Sequence, residues 1–205
     1  MKKIALSLAT VLTLSSVAFA SDTTSQAKND NGFYLGLGYG YLDASNDVGS
    51  VNTDITTDNL MLQGGYKINK YVSLEMRRWV EVGSGDATQS GGNYPGSYNA
   101  DNTYAWGAYV KPAYPILNNL NVYGLVGYGI SSLKYNDNTT ESNGFSWGLG
   151  GEFTLNEHVA FFVDYVSVTS QDSADFTYTP NGSSSGDVNA NIDVHTINLG
   201  ITYKF

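Results

Sequence analysis

Five ionisable side chains stand inside segments that alternate in polarity: Glu75, Arg77, Lys111, Glu152 and Asp164. Opposite charges two residues apart, as in Glu75-Met76-Arg77, share one face of an extended strand and can pair there. Where such a face is buried, pairing is obligatory, because an uncompensated buried charge is strongly destabilising. Nucleophilic and metal chemistry have less to work with. The chain has no cysteine and two histidines, His158 and His195. His158 is followed by Val159-Ala160 and His195 by Thr196-Ile197, so neither heads a His-x-Ser pair on one strand face. No Asp-x-Asp/Asn-x-Asp/Asn-Gly run for calcium is present. The glycines recur as G-x-G-x-G at period two, not as the G-x-G-x-x-G of nucleotide binders. No catalytic residues, no metal site and no cofactor are expected, and the chain is expected to be non-enzymatic.

The elements that position these charges are strands. Residues 32–42 put Phe33, Leu35, Leu37, Tyr39 and Tyr41 on one face, and Tyr34, Gly36, Gly38 and Gly40 on the other. The same period of two recurs over 59–68, 72–82, 104–114, 121–133, 144–155, 159–169 and 192–205. The connections run long (43–58), short (69–71), long (83–103), short (115–120), medium (134–143), short (156–158) and long (170–191). Strict alternation of short and long ends predicts an up-and-down meander whose two ends face different environments, as in transmembrane barrels.

Face chemistry sharpens that reading. Phe145, Trp147, Leu149, Phe153 and Leu155 oppose Gly144, Ser146, Gly148, Gly150 and Glu152. Charges and glycines make a poor soluble core, whereas an apolar face turned to lipid and a polar face turned to a lumen are consistent. The expected fold is therefore all-β, an eight-stranded antiparallel up-and-down transmembrane β-barrel over 32–205. Tyr41, Tyr66, Tyr71, Tyr104, Trp106, Tyr114 and Tyr203 are expected in interfacial girdles. Arg78 conflicts with this register, since alternation aims it at lipid at a cost of about 2–4 kcal/mol near the midplane. Either a bulge near Arg77–Arg78 rotates the strand, or Arg78 sits high enough to reach a lipopolysaccharide phosphate.

Composition excludes other classes. A mean hydropathy of −0.21 does not supply the repeated apolar runs that membrane helices need. A net charge of −9 opposes nucleic-acid binding, which Lys and Arg drive. Residues 1–20 read as a secretory signal peptide: Lys2-Lys3, a short apolar stretch, then Ala18-Phe19-Ala20. Its removal takes the charge to −11, and 21–31 are expected to form a flexible lead-in. Thirteen of the 19 acids fall in or beside the predicted outer connections: Glu81, Glu141 and Asp43, 47, 54, 58, 86, 101, 137, 172, 175, 187 and 193. Solvated loops are the expected reason, with divalent-cation bridging to lipopolysaccharide as the alternative.

Gly64-Gly65-Tyr66-Lys67-Ile68-Asn69-Lys70-Tyr71-Val72-Ser73-Leu74-Glu75-Met76 resembles the second hairpin of the transmembrane domain of outer-membrane protein A. The likeness extends to Lys111-Pro112-Ala113-Tyr114-Pro115-Ile116, Leu120-Asn121-Val122-Tyr123 and Gly150-Gly151-Glu152-Phe153. It covers most of 32–205, loops excepted. An OmpA-like small outer-membrane β-barrel implies an internal salt-bridge cluster at Glu75, Lys111 and Glu152 that blocks or gates the lumen. The arginine that the family pattern places on the seventh strand is Phe162 here, and another basic position, on the fifth, is Leu125. Arg77, absent from that pattern, is expected to supply the missing positive charge. The closing Leu199-Gly200-Ile201-Thr202-Tyr203-Lys204-Phe205 resembles a terminal assembly signal, with Tyr203 and Phe205 facing the barrel-assembly machinery. Larger members continue into a peptidoglycan-binding domain; the sequence ends at Phe205, so that role is not expected. The resemblance implies a bacterial outer-membrane location and, as partners, outer-membrane lipid and lipopolysaccharide. The chain is expected to be a monomer with structural, envelope-integrity and surface-contact roles (adhesion or recognition through its loops). The alternatives are a narrow, weakly conducting pore and, less favoured, a lipid-modifying enzyme.

Overall fold

The computed structural model describes residues 31–48, 51–83, 85–90, 96–100, 104–135, 138–171 and 190–205. The predicted signal peptide and nearly all of the lead-in therefore lie outside the described residues. Eight antiparallel strands form the wall: β1 (Gly32–Val48), β2 (Val51–Asn69), β3 (Val72–Glu81), β6 (Tyr104–Leu117), β7 (Leu120–Tyr135), β8 (Asn138–Thr154), β9 (Val159–Gln171) and β10 (Ala190–Lys204). Each pairs with its chain neighbour in the wall, and β1 pairs with β10 from Tyr34↔Lys204 to Val48↔Ala190, so the sheet closes on itself. Closure leaves no strand edge around the wall, as lipid requires.

The wall strands are longer than the apolar alternation suggests. Residues 43–58, read from the sequence as a long loop, continue β1 and β2 as a ladder up to Val48↔Val51. Residues 134–143 likewise extend β7 and β8. The predicted loop 83–103 contains a hairpin, β4 (Gly85–Ser90) with β5 (Gly96–Ala100), whose first strand pairs with Asn52–Thr56 of β2. Gly83 starts this excursion at φ +106°, a conformation that glycine adopts without a Cβ penalty. Glu81 fastens it by accepting a hydrogen bond from the Gly85 amide at 3.0 Å. Among the described side chains of these ribbons, those exposed outside are polar, such as Asp43, Asp54, Asp86 and Thr88, which is why period-two hydrophobicity missed them.

The opposite end is tight. Asn69 Oδ1 accepts from the amides of Tyr71 and Val72 at 2.7 and 3.0 Å. Asn156 Oδ1 accepts from those of His158 and Val159 at 2.9 and 2.8 Å. Both are Asx-type turns that fix hairpin register locally. Only Asn118-Asn119 separates β6 from β7, fewer than the 115–120 expected.

Outside, Leu35, Leu37, Leu62, Met76, Val126, Leu149, Val163 and Ile201 are exposed, with Tyr71, Tyr104, Tyr114 and Tyr203 toward strand ends. Inside, aromatic rings lie across glycines of neighbouring strands. A Cβ at Gly65 would stand 2.4 Å from the Tyr34 ring and 2.6 Å from the Leu74 carbonyl oxygen. Gly65→Ala is therefore expected to destabilise the barrel by about 1–3 kcal/mol, the usual range for overpacking. Urea unfolding in phosphatidylcholine vesicles checks it; an unchanged midpoint overturns the packing argument.

Candidate functional site

Strand β3 points Ser73, Glu75, Arg77 and Trp79 inward in succession. Glu75 is the hub. Its Oε1 receives Arg77 Nε at 2.6 Å. Its Oε2 receives Lys111 Nζ at 3.2 Å and the Tyr34 hydroxyl at 2.5 Å. Lys111, from β6, also reaches Glu152 Oε2 of β8 at 3.3 Å and lies 4.0 Å from the Tyr123 ring centroid. Arg77 Nη2 approaches Asp164 Oδ2 of β9 at 2.8 Å. Asp164 further accepts from the Tyr123 hydroxyl at 2.6 Å and from Asn198 Nδ2 at 2.8 Å. All five charges singled out from the sequence thus meet in one network that spans the lumen. Arg77 joins Glu75 to Asp164 and is the only base in ion-pair contact with Asp164 among the described residues, and Phe162 and Leu125 lie in the buried apolar cluster. Arg77 Nη1 and the amide of Gln63, its cross-strand neighbour, make no protein hydrogen bond, and Nη2 meets Asp164 as an ion pair without hydrogen-bond geometry.

The lumen is not polar throughout, contrary to the simple two-face reading. Beyond the ion pairs, toward the long-strand end, Leu42, Met61, Trp79, Leu125, Val166 and Val194 fill it with no exposure. The register explains this: the same inward parity that delivers Glu75 and Arg77 delivers Trp79 one step farther along β3. Trp79 Nε1 donates to Asn198 Oδ1 at 2.7 Å, so a single asparagine ties the apolar layer to the charge network. At the short-turn end a cavity of about 500 Å³ opens, lined in part by Lys67, Lys70 and Lys204 and reaching Lys111 and Glu152. The partners Tyr34, Tyr123 and Asn198 were not singled out from sequence. Their only signal was inward parity, which many residues share.

On the outer wall, β3 keeps its alternation through Arg77–Arg78, so of the two alternatives for Arg78 the bulge is absent there; a register shift occurs at Val194/His195, opposite β9. Arg78 points outward, with its guanidinium 4.5 Å from the Trp106 ring centroid. His158 stacks on Tyr203 beside the 155–158 turn, whereas His195 stacks on Tyr165 and pairs in register with Asp43 toward the far rim. The two histidines do not share a site. Asp43, Asp54, Asp58, Asp86 and Glu141 are exposed toward that rim, and the Tyr39 hydroxyl donates to Asp58. All five sit on paired strands, not in loops. Asp101, Asp137, Asp172, Asp175 and Asp187 lie outside the described residues. Among the described residues no group of three or more His, Cys, Asp or Glu is placed to hold a metal.

The sequence from residue 6 to 205 matches the family model for the outer membrane protein beta-barrel domain. No curated protein matches the chain. Among solved structures, outer membrane protein AlkL in lipid bilayers superposes with a TM-score of 0.61 at 14% identity, covering 92% of this chain and 96% of that one. OprG from Pseudomonas aeruginosa gives 0.58 at 16%, covering 86% and 97%. The neisserial surface protein A gives 0.51 at 16%, covering 85% and 97%. At these identities the likeness shows the fold.

Proposed function

This chain belongs to the outer membrane β-barrel protein family, and we propose that within the bacterial outer membrane it is a closed, non-enzymatic barrel that acts through its outer rim. The observation that carries this reading is the doubly filled lumen. An ion-pair layer of Glu75, Arg77, Lys111, Glu152 and Asp164 lies below a dry layer built around Trp79. Eight-stranded barrels have interiors just wide enough for side chains to fill, and here they are filled twice. What remains for contact is the crown of polar ribbons, β1–β2 with β4–β5, rising past the apolar belt and bearing exposed carboxylates. That crown suits surface contact, adhesion or recognition, and the buried network suits a rigid envelope component.

Planar-bilayer conductance of the refolded protein tests the closure. Wild type is expected to show no channel steps, and Lys111→Ala none either, because the apolar layer remains in place. Steps from wild type overturn the reading and favour the narrow pore, whose support is the cavity that ends at Lys111 and Glu152. Replacing the hairpin 83–103 by a short turn is then expected to leave the barrel folded while reducing contact of cells with abiotic or host surfaces.

Tyr203 and Phe205, both exposed and 5.1 Å apart ring to ring, are proposed as the contact for the barrel-assembly machinery. Deleting Phe205 is expected to lower outer-membrane accumulation in cells while leaving refolding in detergent intact. Equal accumulation removes that role.

A further inference from the structure

We propose that Arg78 and Trp106 form a seat on the outer wall for a phosphoryl group of lipid A. Arg78 is exposed among lipid-facing residues, paired in register with Leu62 on one side and Trp106 on the other. It makes no ion pair among the described residues. Its guanidinium is 4.5 Å from the Trp106 ring centroid, so one face is covered by the indole. The edge N–H groups are left to be satisfied by an anion, and a guanidinium edge matches phosphate oxygens bidentately.

Height selects the source of that phosphate. Trp106 lies two residues from the start of β6 at Tyr104, at the end remote from the 118–119 turn and from Phe205. Arg78 lies toward the same end of β3. The pair therefore belongs to the half of the belt beneath the rim ribbons, the leaflet in which the lipid carries phosphates just above its acyl chains. Nearer the rim the surface is less hospitable: Asp43, Asp54 and Asp58 are exposed on β1 and β2. Asp58, four residues before the partner of Arg78 on β2 and so nearer the rim, is already engaged by Tyr39. The seat rests on the lipid-facing exterior alone, so an open lumen would leave it standing.

The test is lipid retention by protein refolded in phosphatidylcholine nanodiscs and read by native mass spectrometry. The probes are bisphosphoryl lipid A, its dephosphorylated form and phosphatidylglycerol. Wild type is expected to retain bisphosphoryl lipid A about tenfold better than either of the others, the factor one charge-assisted hydrogen bond supplies. Arg78→Gln should abolish that preference and Trp106→Leu should weaken it, with each variant's heat-dependent gel shift showing that it is folded. Undiminished preference in folded Arg78→Gln overturns the seat. Equal retention of phosphatidylglycerol by wild type overturns the lipid A assignment.

Discussion

Glu75→Ala is expected to cost the folded barrel about 3–5 kcal/mol, the range for removing one partner of a buried ion pair. The reason is the number of donors that converge on this carboxylate. Arg77 Nε, Lys111 Nζ and the Tyr34 hydroxyl all end on it, and both side chains of the Glu75–Arg77 pair are wholly buried. Alanine leaves Arg77 with Asp164 alone and Lys111 with Glu152 alone, in a layer that already has an unpartnered Nη1 and an unpartnered Gln63 amide. Low local dielectric makes such partial satisfaction expensive. Urea unfolding in phosphatidylcholine vesicles, followed by the heat-dependent gel shift, measures the loss. The informative comparison is Glu75→Leu/Arg77→Met/Asp164→Leu. It removes two acids and the one base that joins them, retains the Lys111–Glu152 pair, and is expected to recover most of the lost stability, since an apolar replacement of similar volume is often neutral or better. A loss below about 1 kcal/mol in Glu75→Ala would show that the network is dispensable to stability.

This network also shows how far the sequence can be read. Strand parity alone places Glu75, Arg77, Lys111, Glu152 and Asp164 on one inner face, and closure of a narrow barrel forces them together. Parity likewise fixes Arg78 as outward once the ladder is regular, which the sequence leaves open between a bulge and an exposed arginine. Parity says nothing of what lies between inward residues at the same height. That Asn198 links Asp164 to Trp79 depends on the stagger of β3 against β10, two strands that are not sequence neighbours. Residues 43–58 failed for another reason. Their strands are held by backbone ladders, and the exposed side chains described there, Asp43, Asp54 and Asp58, are polar, so no hydrophobic period marks them. The inner glycines were legible only as small residues. That Tyr34 lies over Gly65 and Phe162 over Gly200 emerges once the barrel has closed.

Trp79 carries the second large effect, because it closes the lumen independently of the charges. Its side chain is fully buried against Met61 and Ala105, its partners on β2 and β6. Trp79→Ala removes the largest side chain of the apolar layer and is expected to cost about 3–5 kcal/mol in the same unfolding assay. Asn198 Oδ1 keeps the Thr196 hydroxyl at 3.0 Å, so the loss is chiefly of packing and should be reduced markedly in Trp79→Phe, which restores a ring without the N–H. Conductance then separates the two layers. If they act in series, neither Lys111→Ala nor Trp79→Ala alone gives channel steps, and only Lys111→Ala/Trp79→Ala does, since an ion must pass both a charge barrier and a dry constriction. Steps from Lys111→Ala alone would make the ion pairs the only seal. Steps from Trp79→Ala alone would assign closure to the apolar layer and leave the salt bridges a purely structural role. Silence from the folded double variant would mean that the surrounding Leu42, Leu125, Val166 and Val194 collapse to fill the space, and the series model would fail.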